Sequence, residues 1–314
     1  MDDPEKKDDK ITPIPELPFE VKKAAENGKL VLFVGAGASM LLGMPSWNEL
    51  AEKVLKCLRL EGEIDYAELN QLKNLDAKKQ LSIAYTLADK KIDLDLPQYL
   101  VRTKDSNIYR YLNSIGSVYV TTNYDHELNP QNSSPSSDQA IQTVDRISDP
   151  NDFNTALLKN PGTVIHLHGD MLNPNEMIVT TRQYLAHYDH PNVINFLAKL
   201  FKEYTVLFVG YSLEEAEILE HILRRGNARE EGKDTNGLKR FLLQGYFESE
   251  QPLYEKLVTY YRKSFGVNLK GFSKDKEDYC QLEKIIKDWS EQIEVLPPPT
   301  IDDIAEIDRV VVDE

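Results

Sequence analysis

Chemistry in this chain of 314 residues concentrates in four short polar clusters, each set immediately after an apolar run. They are Gly35-Ala36-Gly37-Ala38-Ser39, Asn123-Tyr124-Asp125, His168-Gly169-Asp170 and Gly210-Tyr211-Ser212. Gly35 and Gly37 lack a Cβ, so backbone N–H groups there can come within hydrogen-bonding distance of a phosphate, and Ser39 adds a hydroxyl. The same glycines would equally serve a tight turn that packs a helix close to its strand. Asn123 and Asp125 read either as ligand contacts or as caps of the turn after a strand. Asp170 either orients His168 or caps its own turn. His166 and His168, two apart, share one face of any strand and suggest a metal pair, but no third ligand is evident and no metal is expected. Tyr184, His187, Tyr188 and His190 could line a pocket, with helix packing the favoured reading. His126 stays unassigned.

Such clusters need elements to position them. Residues 30–34, 117–122, 163–167 and 204–209 are strand-like runs, and each ends at one of the four clusters. Further strands are expected at 177–180, 240–243 and 266–269. Helices are expected at 14–27, at 47–60 with Ser46 as N-cap, at 192–203, from Leu213 with Glu214, Glu215 and Glu217 in its first turns, and at 276–289. The pattern from 65 to 113 stays helical without a strand. The expectation is therefore an α/β protein with a Rossmann-like parallel sheet, helices on both faces and a helical insertion (about 47–115) after the first strand. In an open parallel sheet ligands bind beyond the carboxyl ends of the strands, so clusters scattered along the sequence should meet in one crevice. Residues 1–12 read as a disordered N-terminus, 13–293 as one ligand-binding domain, and 129–138 as a loop. Residues 294–314, with three consecutive prolines and a mostly acidic end, read as a linker or tail leading to an absent C-terminal domain.

Composition narrows the function. With 37 basic against 52 acidic residues the net charge is −15, which disfavours nucleic-acid binding. The basic stretch at 223–229 is followed at once by Glu230 and Glu231 and reads as a solvated helix end. No apolar span approaches ~20 residues and the N-terminus is charged, so neither a membrane segment nor a signal peptide is expected and the location is cytoplasmic. Cys57 and Cys280 are the only cysteines. A four-cysteine zinc module is excluded, and both are expected to be small buried side chains.

Taken together and in this order, the four clusters resemble the sirtuin family. Gly35 to Ser39 with Gly43-Met44-Pro45 is similar to its Gly-Ala-Gly-x-Ser…Gly-x-Pro phosphate loop. Thr121-Thr122-Asn123-Tyr124-Asp125 resembles its Thr-Gln-Asn-x-Asp segment, and His168-Gly169 its His-Gly. Gly210-Tyr211-Ser212 resembles its Gly-x-Ser, and the likeness spans about residues 30–213. The chain departs from the deacylases of that family in lacking the zinc module, in carrying Ser46-Trp47-Asn48 after the proline, and in having Thr122 for Gln. The variant pattern looks like the SIR2-like domains of bacterial anti-phage defence proteins, which hydrolyse NAD and act by depleting it. That resemblance implies NAD as substrate, with Asn123 and His168 catalytic: Asn123 on the nicotinamide ribose or the water, His168 as base toward a ribose hydroxyl or the water. It implies Gly35, Ala36, Gly37 and Ser39 on the pyrophosphate, Asp125 on the carboxamide, and Gly210 and Ser212 on phosphate or ribose. Control by homo-oligomerisation, a sensor domain or a partner protein is expected. A NAD-dependent protein deacylase or ADP-ribosyltransferase, and a non-catalytic NAD or ADP-ribose sensor, are the alternatives.

Overall fold

Each residue of β1 (Leu30–Val34) is apolar and buried, as a strand covered on both faces must be. The structure, a computed structural model, describes residues 10–89, 91–116, 118–130, 144–212, 218 and 240–293. In chain order the main elements are α1 (Phe19–Glu26), β1, α2 (Ala36–Met40), α3 (Trp47–Leu60), α4 (Tyr66–Leu72), α5 (Ala77–Ala88), α6 (Ile108–Ile115), β2 (Val118–Thr121), β3 (Arg146–Ile147), β4 (Val164–His166), α7 (Thr181–Tyr188), α8 (Pro191–Glu203), β5 (Thr205–Val209), β6 (Arg240–Tyr246), α9 (Gln251–Phe265), β7 (Asn268–Ser273) and α10 (Gln281–Gln292).

The strands form one sheet in the order β3-β4-β2-β1-β5-β6-β7, and every pairing is parallel. From β1 the chain goes to β2, out to the edge strand β3 and back in to β4; it then crosses to β5, on the other side of β1, and moves outward through β6 and β7. The order thus reverses between β1 and β5, and a parallel sheet opens a crevice at that point, beyond the strands' carboxyl ends. Alternation along β1 divides the core. Val31 and Phe33 face one layer with Tyr184 and Tyr188 of α7, Phe196 of α8 and Tyr254 of α9. Leu30, Leu32 and Val34 face the other, with Val21 of α1, Tyr109 and Leu112 of α6 and Trp289 of α10. The insertion packs a core of its own, in which Leu50, Val54 and Leu58 of α3 meet Leu81 and Ala84 of α5. Ser46 caps α3 as its sequence predicts: the Glu49 N–H donates to Ser46 Oγ at 3.3 Å and the Ser46 N–H to Glu49 Oε2 at 2.7 Å.

Several elements differ from their sequence patterns. The first helix begins at Phe19 rather than residue 14, because Pro15 and Pro18 disfavour helical backbone in the residues before them. Ile11 and Thr12, expected in a disordered stretch, are docked: Ile11 is buried, its N–H donates to Gln251 Oε1 at 3.0 Å, and Thr12 bridges Phe272. Residues 177–180 form no strand; the Ile178 N–H instead donates to the His168 carbonyl at 2.8 Å and Thr180 caps α7. The closing helix starts at Gln281, after a 3-10 turn at Asp278–Cys280, and that surface turn leaves Cys280 exposed rather than buried, while Cys57 is half-buried. The expected helix from Leu213, the basic stretch at 223–229, most of the 129–138 loop and the 294–314 tail lie outside the described residues. No helix among the described residues is long and apolar enough to cross a membrane.

Candidate active site

At the end of β2 the hydroxyl of Thr121 donates to the Val34 carbonyl at 2.9 Å and accepts the Asn123 N–H at 3.0 Å, which stitches the tips of β1 and β2 together. Asn123, 7% exposed, is then fixed through its side chain. Its Nδ2 lies 3.0 Å from the Gly35 carbonyl, 2.9 Å from Ser39 Oγ and 3.2 Å from Tyr109 Oη. A carbonyl only accepts, so the atom facing Gly35 must be the NH2; Oδ1 takes no part in these bonds, and Asn123 lines a pocket beyond the strand tips. Ser39 Oγ donates to Asp125 Oδ2 at 2.6 Å, so its 2.8 Å bond to Tyr109 has the phenol as donor. Burial, reinforced by the charge of Asp125, pushes the Tyr109 phenol well above its usual value and keeps it a donor. Burial also pushes the Asp125 carboxyl up, opposed by the Ser39 hydroxyl and the Glu127 N–H that donates to Oδ1 at 3.1 Å. The result is a connected polar group of four side chains, Tyr109–Ser39–Asp125 with Asn123 bonded to both hydroxyls.

Tyr109 is the member that sequence reasoning missed. It sits on α6 among residues with the spacing of an ordinary packed helix, and only its hydroxyl tip distinguishes it; a buried Tyr needs a partner, but sequence does not say which.

The glycines are explained by close approach. A Cβ on Gly35 would lie 2.6 Å from the Gly210 carbonyl oxygen, one on Gly37 would lie 2.9 Å from Gly210 Cα, and one on Gly210 would lie 2.4 Å from the Ala38 nitrogen. Gly210 also has φ +62°, which a side chain disfavours. The Gly35 N–H donates to Val209 at 2.9 Å and the Gly37 N–H to Gly210 at 2.8 Å. Those two amides therefore lock the β1 and β5 tips to each other. Ala36 and Ser39 line the pocket together with Asn123 and Asp125, and its apolar lining includes Met44, Trp47 and Leu100. Trp47 stands edge-on to Tyr124 at 5.8 Å. Ser212, three residues beyond the end of β5, is exposed.

His168 is not brought to this group. It is fully buried, with Nε2 2.8 Å from the Tyr188 hydroxyl and Nδ1 3.4 Å from that of Tyr184, in the core layer on the α7 side of the sheet. Tyr109, the partner of Asn123, belongs to the opposite layer. Burial, with His187 and Lys78 alongside, holds the His168 ring well below its usual pKa. Tyr184, His187 and Tyr188 pack around it as core, and His190 caps α8 by accepting the Asn192 N–H at 3.3 Å. His166 does something different from its neighbour two residues on: its Nδ1 donates to the Asn123 carbonyl at 3.1 Å and burial lowers its pKa to about 4. Asp170 pairs with His126, Oδ1 to Nε2 at 3.2 Å, and not with His168. Among the described residues no group of three or more His, Cys, Asp or Glu is placed to hold a metal ion.

Comparison with known families matches residues 117–263 to the model of the SIR2-like domain. The matched span runs from β2 into α9 and so contains Asn123, Asp125, His168, Gly210 and Ser212, while β1 with Gly35 to Ser39 precedes it. A SIR2-like domain points to NAD-related activity. No curated protein matches the chain.

Proposed function

We propose that the chain is a NAD glycohydrolase, releasing nicotinamide and ADP-ribose, and that it serves as an effector of bacterial anti-phage defence by depleting NAD. The observation that carries the reading is the fixed amide of Asn123: three hydrogen bonds hold its NH2 while the residue lines a pocket beyond the strand tips, in a span that matches a SIR2-like domain. Cleaving the glycosidic bond of NAD needs little covalent help, because nicotinamide is already a cationic leaving group. The protein must hold the ribose, stabilise an oxocarbenium-like transition state and admit water.

In this reading Asn123 Oδ1 accepts from a ribose hydroxyl, and its preorganisation means that little rearrangement is needed as positive charge moves onto the sugar. Asp125 faces the nicotinamide, whose positive ring favours the ionised carboxylate that burial otherwise disfavours. The apolar wall with Trp47 and Met44 takes the flat leaving group. Ala36 and Ser39 meet the phosphate side, Gly35, Gly37 and Gly210 shape the turn that brings them there, and Ser212 meets a phosphate or ribose at the rim. His168 serves by filling the core beneath α7. Control of such an activity falls to self-assembly, a sensor domain or a partner protein.

The test is release of nicotinamide and ADP-ribose from NAD by the purified chain, with no acylated peptide present. Turnover in the wild type that disappears in Asn123→Ala supports the reading. Turnover only with an acylated peptide, or ADP-ribose appearing on protein, would establish a transferase instead, and tight NAD binding without turnover a sensor.

A further inference from the structure

We propose that His126, oriented by Asp170, is the general base that takes the proton of the attacking water; the assignment rests on the NAD glycohydrolase reading above. His126 borders a cleft of about 440 Å³ that shares Met44, Leu100 and Asp125 with the Asn123 pocket, so a ligand against Asn123 has open space continuing past Asp125 to the imidazole.

The ring is held as a base must be. Its Nε2 lies 3.2 Å from Asp170 Oδ1, and an ionised carboxylate only accepts, so Nε2 carries the hydrogen and Nδ1 presents its lone pair. Asp170 is itself buried, and the Leu172 N–H donates to the same Oδ1 at 2.8 Å. Burial would raise the Asp170 carboxyl, but the Leu172 amide, the Ser148 hydroxyl and His126 outweigh it and hold the group below its usual value, ionised at neutral pH. The backbone that carries His126 is pinned on either side, by His166 Nδ1 on the Asn123 carbonyl and by the Glu127 N–H on Asp125. The His166 ring also stands edge-on to His126 at 5.3 Å. Asp170 is thus the positioning residue of a carboxylate–imidazole pair, and the imidazole remains partly exposed, with 24% of its side chain accessible.

The step balances. The water oxygen bonds to C1′ of the nicotinamide ribose as the C1′–N bond breaks. The bonding pair leaves with nicotinamide and neutralises its ring, and the water proton passes to Nδ1. The imidazolium stands against the Asp170 carboxylate and returns its proton to solvent, so NAD and water give nicotinamide, ADP-ribose and a proton.

The experiment is steady-state NAD cleavage by the wild type, Asn123→Ala, His126→Ala, His126→Gln and Asp170→Asn, with and without added imidazole, alongside thermal melting. Removing a general base should lower kcat of both His126 variants about a hundredfold or more, with KM within a few-fold. His126→Gln, whose amide keeps a donor toward Asp170, should melt like the wild type. Imidazole should restore part of kcat to His126→Ala and nothing to Asn123→Ala, and Asp170→Asn should lose a smaller factor of about ten. A kcat for His126→Gln near that of the wild type, beside an inactive Asn123→Ala, overturns the base assignment and leaves the glycohydrolase reading standing. Loss in His126→Ala that imidazole does not relieve, with Asp170→Asn fully active, also overturns it. A wild type that releases no nicotinamide overturns both.

Discussion

The tips of β2 and β4 are neighbours in the sheet and alike in sequence, each an apolar run that stops at polar residues, yet they end in opposite surroundings. At the β2 tip Asn123 and Asp125 join Ser39 and Tyr109 in a network that lines a pocket. At the β4 tip His168 is fully enclosed by tyrosines of α7. The difference teaches that a polar strand tip becomes a site when its side chain is held by groups that leave one polar atom facing space. When the surrounding helices use every direction around it, the tip becomes core. His166 lies between these cases: it is buried, but its Nδ1–H holds the backbone of the β2 tip.

The sharpest break of the comparison would come at Asn123. In Asn123→Ala, nicotinamide release should fall about a thousandfold, the scale of losing one preorganised polar contact to the transition state, in a protein that still folds but is less stable by about 1–3 kcal/mol because the buried partners of the amide are left unpaired. Next is the seam that brings the tips together. Gly210→Ala forces a Cβ to 2.4 Å from the Ala38 nitrogen at φ +62°; left-handed strain plus overpacking should cost about 3 kcal/mol, read by denaturant unfolding. An unfolding free energy equal to that of the wild type would show that the two turns do not meet this way.

The β4 side is tested by acid. His166 and His168 stay neutral in the folded protein, their pKa values lowered to about 4 and well below 6.5 respectively. The unfolded chain protonates them near pH 6.5, so it binds more protons below that pH and stability falls as pH falls, by about 1.4 kcal/mol per pH unit for each ring. Asp125, raised by burial, titrates with the opposite sign, so the informative quantity is the difference between variants. Melting curves of the wild type and His168→Phe between pH 7.5 and 5 should diverge, with the wild type the steeper; parallel curves would mean that His168 is charged or exposed. The smallest effect is expected for Tyr109→Phe, which removes the donor to Ser39: about 1 kcal/mol of stability and a several-fold loss of kcat through a looser Asn123.

Much of the frame was legible in the sequence because buried parallel strands are written as uncharged runs: β1, β2, β4, β5 and β6 all stand where such runs occur, and Ser46 caps α3 as its position implied. What was not legible depends on contacts between distant elements. The two-residue strand β3 carries no periodicity and exists only by pairing with β4. Tyr109 joins the network through the packing of α6 against the sheet. Strand alternation puts His166 and His168 on one face, but β4 ends at His166 and the chain turns at Gly169, φ +83°, so the two rings enter different surroundings. The pairing of Asp170 with His126 rather than His168 follows from that same turn.

The central claim is that the β2 tip acts and the β4 tip supports. Its most direct test is nicotinamide release from NAD by wild type, Asn123→Ala and His168→Phe, compared at equal folded concentration in one experiment. Turnover is expected in the wild type and in His168→Phe, and none above background in Asn123→Ala. Loss of turnover in a folded His168→Phe together with its retention in Asn123→Ala would contradict it.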